Sequence, residues 1–132
     1  HARRQWSLVD DANLRFRFLN AFDKAMIGIV NKAGFFEPIP EPVVRDNERQ
    51  ILVFRRGKYL FVFNFNPENS YSDYRFDAEA GKYVPVLNTD SECFDGFNRI
   101  DDRQSHFTLF RDGRNLLSLY IPARTALVLQ LQ

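Results

Sequence analysis

Few residues in this chain have chemical reach. Cys93 is its only cysteine, and His1 and His106 are its only histidines. A structural or catalytic zinc draws its ligands from those residue types at close spacing, and that spacing is absent. Cys93 therefore reads as an incidental thiol and His106 as a strand-edge residue. Asp90-Ser91-Glu92 and Asp101-Asp102 loosely suggest a calcium loop, but the EF-hand spacing and its terminal glutamate are missing. No Gly-rich phosphate cradle, Gly-x-Ser-x-Gly elbow or His-Glu-x-x-His helix occurs. The acids are scattered over loops, so no two can be assigned as the paired carboxylates of glycoside chemistry. The expectation is a chain with no metal, no cofactor and no catalytic residues of its own.

Aromatic rings beside hydrogen-bonding groups are the chemistry that remains. In Asn69-Ser70-Tyr71-Ser72-Asp73-Tyr74-Arg75, two tyrosines stand amid polar side chains. Sugars lay their apolar faces on such rings while Asp, Asn and Arg take the hydroxyls, as the amphipathic character of aromatic groups allows. Tyr71, Asp73, Tyr74 and Arg75 are thus candidates for carbohydrate binding, and Trp6 joins them. A blander reading competes. Asn and Ser nucleate a turn, the tyrosines cover a sheet edge, and Arg75 pairs with Asp73 or Asp77. Trp6, next to Arg3-Arg4, reads first as a packing residue.

These residues need a scaffold, and 132 residues are enough for one core that buries roughly two-thirds of the unfolded surface. The composition is 45% apolar and 27% charged, which excludes disorder. Eighteen basic against seventeen acidic residues leave +1, no electrostatic footprint for nucleic acid or an anionic membrane. Apolar runs are too short to span a bilayer. His1-Ala2-Arg3-Arg4-Gln5-Trp6 contains no initiator Met and no signal-peptide core, so the chain reads as a segment of a longer protein. A single cysteine suits a cytoplasmic setting.

The pattern changes once, near Pro38. From Asp10 to Lys32, Leu14, Phe18, Phe22, Met26 and Ile29 recur at helical spacing, and Phe16, Ile27 and Val30 widen the stripe. Asp10 and Asp11 suit a helix start, Gly34 and Pro38 a stop, which predicts a helix over 11–33. After Pro42, short β-type runs alternate with turns. Strands are expected at Val43–Arg45, Gln50–Arg55, Tyr59–Phe65, Tyr74–Phe76, Tyr83–Leu87, Phe107–Phe110, Leu116–Ile121 and Thr125–Leu131. Arg56-Gly57-Lys58 and Arg111-Asp112-Gly113-Arg114 are expected to be hairpin turns. The fold class is mainly β: an antiparallel β-sandwich over 39–132, preceded by one long helix in 1–38. Leu60 to Phe65 is apolar on both faces except at Asn64, so this strand must be covered on both sides. Asn88 to Ser105 is too long for a plain turn and invites functional suspicion.

Several stretches also resemble a known family. Arg3-Arg4-Gln5-Trp6-Ser7-Leu8-Val9-Asp10 and Leu14 to Asp23 are similar to the end of the barrel in glucan branching enzymes of the eukaryotic type, members of the α-amylase superfamily. The likeness continues through Leu60 to Phe65, Asn69 to Arg75, Gly81-Lys82-Tyr83, Leu87 to Asp90 and Phe97 to Asp101, and closes with Tyr120 to Leu127. The resemblance implies a parent enzyme that cleaves an α-1,4-glucan and transfers the released chain to a 6-hydroxyl by a retaining two-carboxylate mechanism. The catalytic acids of that family lie upstream, so the implied role of this segment is the last barrel helix plus the all-β C-terminal domain, structural or accessory. Its implied partners are the β/α barrel of the same parent and, through it, α-glucan. Without the barrel, the helix stripe is expected to drive self-association. A glucan-binding module, or the C-terminal domain of a related hydrolase, are the alternatives. Asn66, where the family usually has His, and Phe94 to Phe97, where it has Phe-Gly-Gly-His, depart from the pattern.

Overall fold

A computed structural model describes residues 41–94 and 96–132. Trp6 and the helix expected over 11–33 lie outside those residues. Beyond Pro42 the β-type runs form strands as their alternation requires. Glu41–Asp46 (β1), Ile51–Arg56 (β2) and Tyr59–Asn64 (β3) make an antiparallel meander. Arg56 pairs with Tyr59, so the hairpin loop is Gly57-Lys58. Gly57 has a φ of 61°, the conformation that a II′ turn demands at its first loop residue.

Tyr71–Asp77 (β4), Lys82–Asn88 (β5), His106–Phe107 (β6), Leu109–Arg111 (β7), Arg114–Ile121 (β8) and Thr125–Leu131 (β9) follow. They complete a six-stranded sheet, β1-β2-β3-β9-β5-β6, and a three-stranded sheet, β4-β8-β7. Every pairing is antiparallel. The two sheets share one core, with Ile51, Val53, Leu60, Val62, Leu127 and Leu129 from the larger and Phe76, Leu117, Leu119 and Ile121 from the smaller. The antiparallel all-β architecture is as the turn spacing predicts.

Two expectations need correcting. Phe107–Phe110 is not one strand: the chain leaves the large sheet after Phe107 and enters the small one at Leu109. Thr108 makes the crossing, its N–H donating to the Gly81 carbonyl and its Oγ1 accepting from the Gly81 N–H. The second correction is to the turn reading of Asn69 to Arg75: the strand expected over Tyr74–Phe76 forms, and it begins three residues earlier, at Tyr71. A ladder along β8 captures these residues, and the irregularity is confined to a bulge between Tyr71 and Tyr74.

β3 is buried on both faces. Leu60 and Val62 face the core shared with the small sheet, while Phe61, Val128 of β9 and Leu87 of β5 form a second cluster with Phe54, Tyr59, Phe63 and Phe94 against it. Leu87 reaches this side only because a bulge between Pro85 and Leu87 shifts its register; two residues per pleat would otherwise return it to the face of Tyr83. Pro85 is tolerated because β6 pairs with β5 only at Lys82 and Tyr83, leaving the rest of that edge free. Part of the cover is Phe94, carried by the 3-10 turn Glu92–Phe94 in the long irregular stretch.

The connections that cross between sheets are stitched together. Asn64, 1% exposed, donates its amide to the carbonyls of Asn69 and Ile121 and accepts from the Asn66 N–H. Asn66 in turn accepts from the N–H groups of Glu68 and Asn69, a use of the carboxamide oxygen that explains the residue here. Ser70 Oγ accepts from the Ala123 N–H. The one polar residue of the β3 pattern is therefore the bolt between the β3–β4 and β8–β9 crossings.

Candidate functional site

The candidate sugar residues sit on β4, and the bulge decides where each one goes. Tyr71 opposes Ile121 and Tyr74 opposes Leu119, so β4 carries one residue more than β8 between these pairs. Asp73 takes a φ of 52° to absorb it. As a result both tyrosines face inward and pack on the core, although three residues apart they would point to opposite sides of a regular strand. Their rings lie 6.4 Å apart and tilted by 54°, and Tyr74 meets Phe76 at 6.5 Å. Tyr74 donates its hydroxyl to Asp46 Oδ2 at 2.8 Å. Burial, reinforced by that bond, pushes the phenol up to about 12. Asp46 is held below its ordinary value, chiefly by the Arg49 N–H and then by the Tyr74 hydroxyl. Arg49 is raised in turn by its bond to Asp46.

Asp73 and Arg75 point the other way and are exposed. The pairing of Arg75 with Asp73 or Asp77 does not form, because Asp77 faces Arg114 at 3.4 Å. The structure thus joins Tyr71 to Tyr74, separates both from Arg75, and leaves Trp6 outside the described residues.

Arg75 instead lines a shallow groove on the outer face of the small sheet with Leu109, Arg111, Leu116 and Ser118. Ser118 is its ladder partner, and Leu116 opposes Leu109. Tyr120, two residues beyond Ser118, continues the same face and is 40% exposed. Sequence reasoning missed Ser118, Tyr120 and Arg111. The signal was present: in Arg114–Ile121, Leu117, Leu119 and Ile121 alternate with outward Leu116, Ser118 and Tyr120.

The long stretch between β5 and β6 is organised by one carboxylate. Asp90, 2% exposed, accepts from the N–H groups of Phe97 and Arg99 and pairs with the Arg99 guanidinium at 2.8 Å. Its own carbonyl accepts from the Asn98 N–H at 2.7 Å. Asn88 reaches Asp102 at 2.8 Å, and Ser91 reaches it from the other side. Gly96 lies so close to the Asp90 backbone that a Cβ there would fall 2.0 Å from its carbonyl carbon. Arg99 also stands 5.1 Å over the Phe97 ring. The stretch is a built loop, folded around Asp90, and the carboxylates of Asp90 and Asp102 are spent on holding it together. Of the two remaining reactive groups, Cys93 is exposed and His106 is half-buried with its Nε2 unpartnered, so burial lowers its basicity.

The fold and its loops agree with what the chain resembles. Alpha amylase, C-terminal all-beta domain, matches residues 43–132. The 1,4-alpha-glucan-branching enzyme of Rhizophagus irregularis is 44% identical over 98% of this chain, which spans 20% of that relative. Those of Candida glabrata, at 44%, and Aspergillus oryzae, at 45%, align with all of it. The chain spans about one fifth of the length of these relatives. Its β architecture and the match over Val43–Gln132 place it plainly: the chain belongs to the alpha amylase C-terminal all-beta domain family.

Proposed function

We propose that this chain is the accessory C-terminal domain of a 1,4-α-glucan branching enzyme, a transferase that moves α-1,4-glucan chains to 6-hydroxyls. The observation that carries the reading is the likeness to such enzymes along essentially the whole chain, at 44% identity for the first two relatives. The domain supplies no catalytic carboxylates: its buried acid, Asp90, is neutralised by Arg99 and spent on loop structure. It presents a β-surface to the catalytic barrel of the same protein, and the cleavage and transfer of glucan take place on that barrel. The apolar stripe of Leu14, Phe18, Phe22, Met26 and Ile29 belongs to that contact, so the chain alone self-associates through it. The setting is cytoplasmic, in keeping with a lone cysteine that has no intrachain partner.

The test is an amylose assay read by iodine stain and by branch-point analysis. The longer protein should create α-1,6 branch points, and this chain alone should create none. Release of short sugars without new branches would favour a related hydrolase. Branching by this chain alone, abolished by a substitution within it, would overturn the proposal.

A further inference from the structure

The outer face of the small sheet carries side chains that the fold itself does not use. Among the described residues, the guanidinium groups of Arg75 and Arg111 and the hydroxyl of Tyr120 make no hydrogen bond or ion pair. Tyr120 also stacks on no other ring, though it stands on a strand whose alternate residues Leu117, Leu119 and Ile121 are buried. A ring left 40% exposed with its hydroxyl free gives the sandwich little. Leu109 and Leu116 oppose one another between the two arginines and give the groove an apolar floor.

We infer that this face, Tyr120 with Arg75, Arg111 and Ser118, binds an α-glucan chain directly; the inference rests on reading the domain as part of a glucan-acting enzyme. A pyranose ring offers a C–H face and a rim of hydroxyls. The Tyr120 ring and the leucine floor take the face, while the guanidinium N–H groups and the Ser118 hydroxyl take the rim. From Leu116 to Tyr120 the strand runs about 13 Å, room for a short oligosaccharide lying along β8. A phosphate would want convergent cations over a polar floor, and here the floor is leucine and a third cation, Arg114, is already met by Asp77. The tyrosines of β4 are excluded because Tyr74 has given its hydroxyl to Asp46 and both rings lie against the core.

The test is native electrophoresis of this chain through gels containing glycogen, with maltoheptaose titrated against its amide NMR spectrum. Glycogen should retard the chain, and maltoheptaose should shift the amides of β8 and β4. Tyr120→Ala should weaken retention about five- to tenfold, and Tyr120→Trp should keep it. Arg75→Ala with Arg111→Ala should weaken it severalfold, while Tyr74→Phe should leave it unchanged. Circular dichroism checks that each variant folds, and the Trp and Arg variants keep the question open to an answer should Tyr120→Ala unfold. No retardation of the parent chain, or equal retardation of Tyr120→Ala, overturns the inference. So does a shift of these amides by inorganic phosphate and none by maltoheptaose. Branching by the longer protein is measured separately, so loss of this site would leave the wider reading standing.

Discussion

The two sheets treat their outer faces differently. In the large sheet, β3 and β9 are packed on both sides, with Phe61 and Val128 as buried as the core residues opposite them. In the small sheet, β8 is packed on one side only and turns Leu116, Ser118 and Tyr120 outward. The difference is written in composition: Leu60 to Phe63 has no polar residue, whereas β8 interrupts its apolar run with Ser118. A strand clad on both sides belongs to the scaffold, and a strand clad on one side has a surface to spend on contacts. This comparison predicts unequal tolerance to substitution. Phe61→Ala should cost about 3–5 kcal/mol in denaturant unfolding, the usual loss for a buried Phe. Tyr120→Ala should stay within about 0.5 kcal/mol of the parent. Equal losses would mean that the outer face of β8 is structural after all.

A similar contrast holds for the polar anchors. Asp90 is a buried charge with a guanidinium and two backbone N–H groups depending on it. Asp90→Ala should destabilise by about 3 kcal/mol, because it strands Arg99 and two donors together. Its effect should be confined to the loop in hydrogen exchange, with amides at Phe97 and Arg99 losing protection first. Loss of protection across β2 and β3 as well would show that the loop holds the doubly clad face in place.

Much of this architecture was legible in the residues. Two-sided burial of β3 followed from Leu60 to Phe63, and both hairpins followed from Gly57 and Asp112-Gly113, whose positive φ values the turns require. What could not be read was register. One extra residue at Ser72-Asp73 turns Tyr71 and Tyr74 inward and Arg75 outward, and another at Val86 sends Leu87 to the far cluster. Bulges depend on which strand becomes the partner, and local sequence does not name it. The candidate site is divided for the same reason: with the bulge at Asp73, adjacency along β4 is not adjacency in space. Asp90 was hidden by a different cause, since a buried acid is identified by a partner nine residues away.

Tyr74 links the small sheet to β1, and its hydroxyl bond to Asp46 joins the two regions being compared. Tyr74→Phe should cost about 1 kcal/mol at neutral pH. The folded phenol sits near 12, above the ordinary 10.0, so its contribution is complete below pH 10 and fades as pH rises from there through 12. The gap between parent and Tyr74→Phe in urea midpoint should therefore narrow over that window. At the acid end Asp46, lowered in the folded state, gives stability above its ordinary 3.8 that is lost as pH falls through the folded value. No separation of the two proteins at neutral pH would show that the hydroxyl bond adds nothing, and a separation constant from pH 8 to 12 would show that folding leaves the phenol unshifted.

The smallest effect belongs to His106, at the crossing where β6 of the large sheet gives way to β7 of the small one. Its Nε2 is buried without a hydrogen-bond partner, and burial holds its folded basicity below the ordinary 6.5. The folded state therefore resists a proton that the unfolded state accepts. The sign follows from linkage: stability is full above pH 6.5 and declines as pH falls below it, until the folded ring protonates too. Urea midpoints for the parent should drop between pH 7.5 and 5.5 by more than those of His106→Phe, which has nothing to titrate. Because β6 pairs with β5 at only two positions, the local opening should appear first as faster exchange at Phe107 and Thr108. Equal drops in the two proteins would locate the acid sensitivity elsewhere and leave this crossing as indifferent to protons as the rest of the sandwich edge.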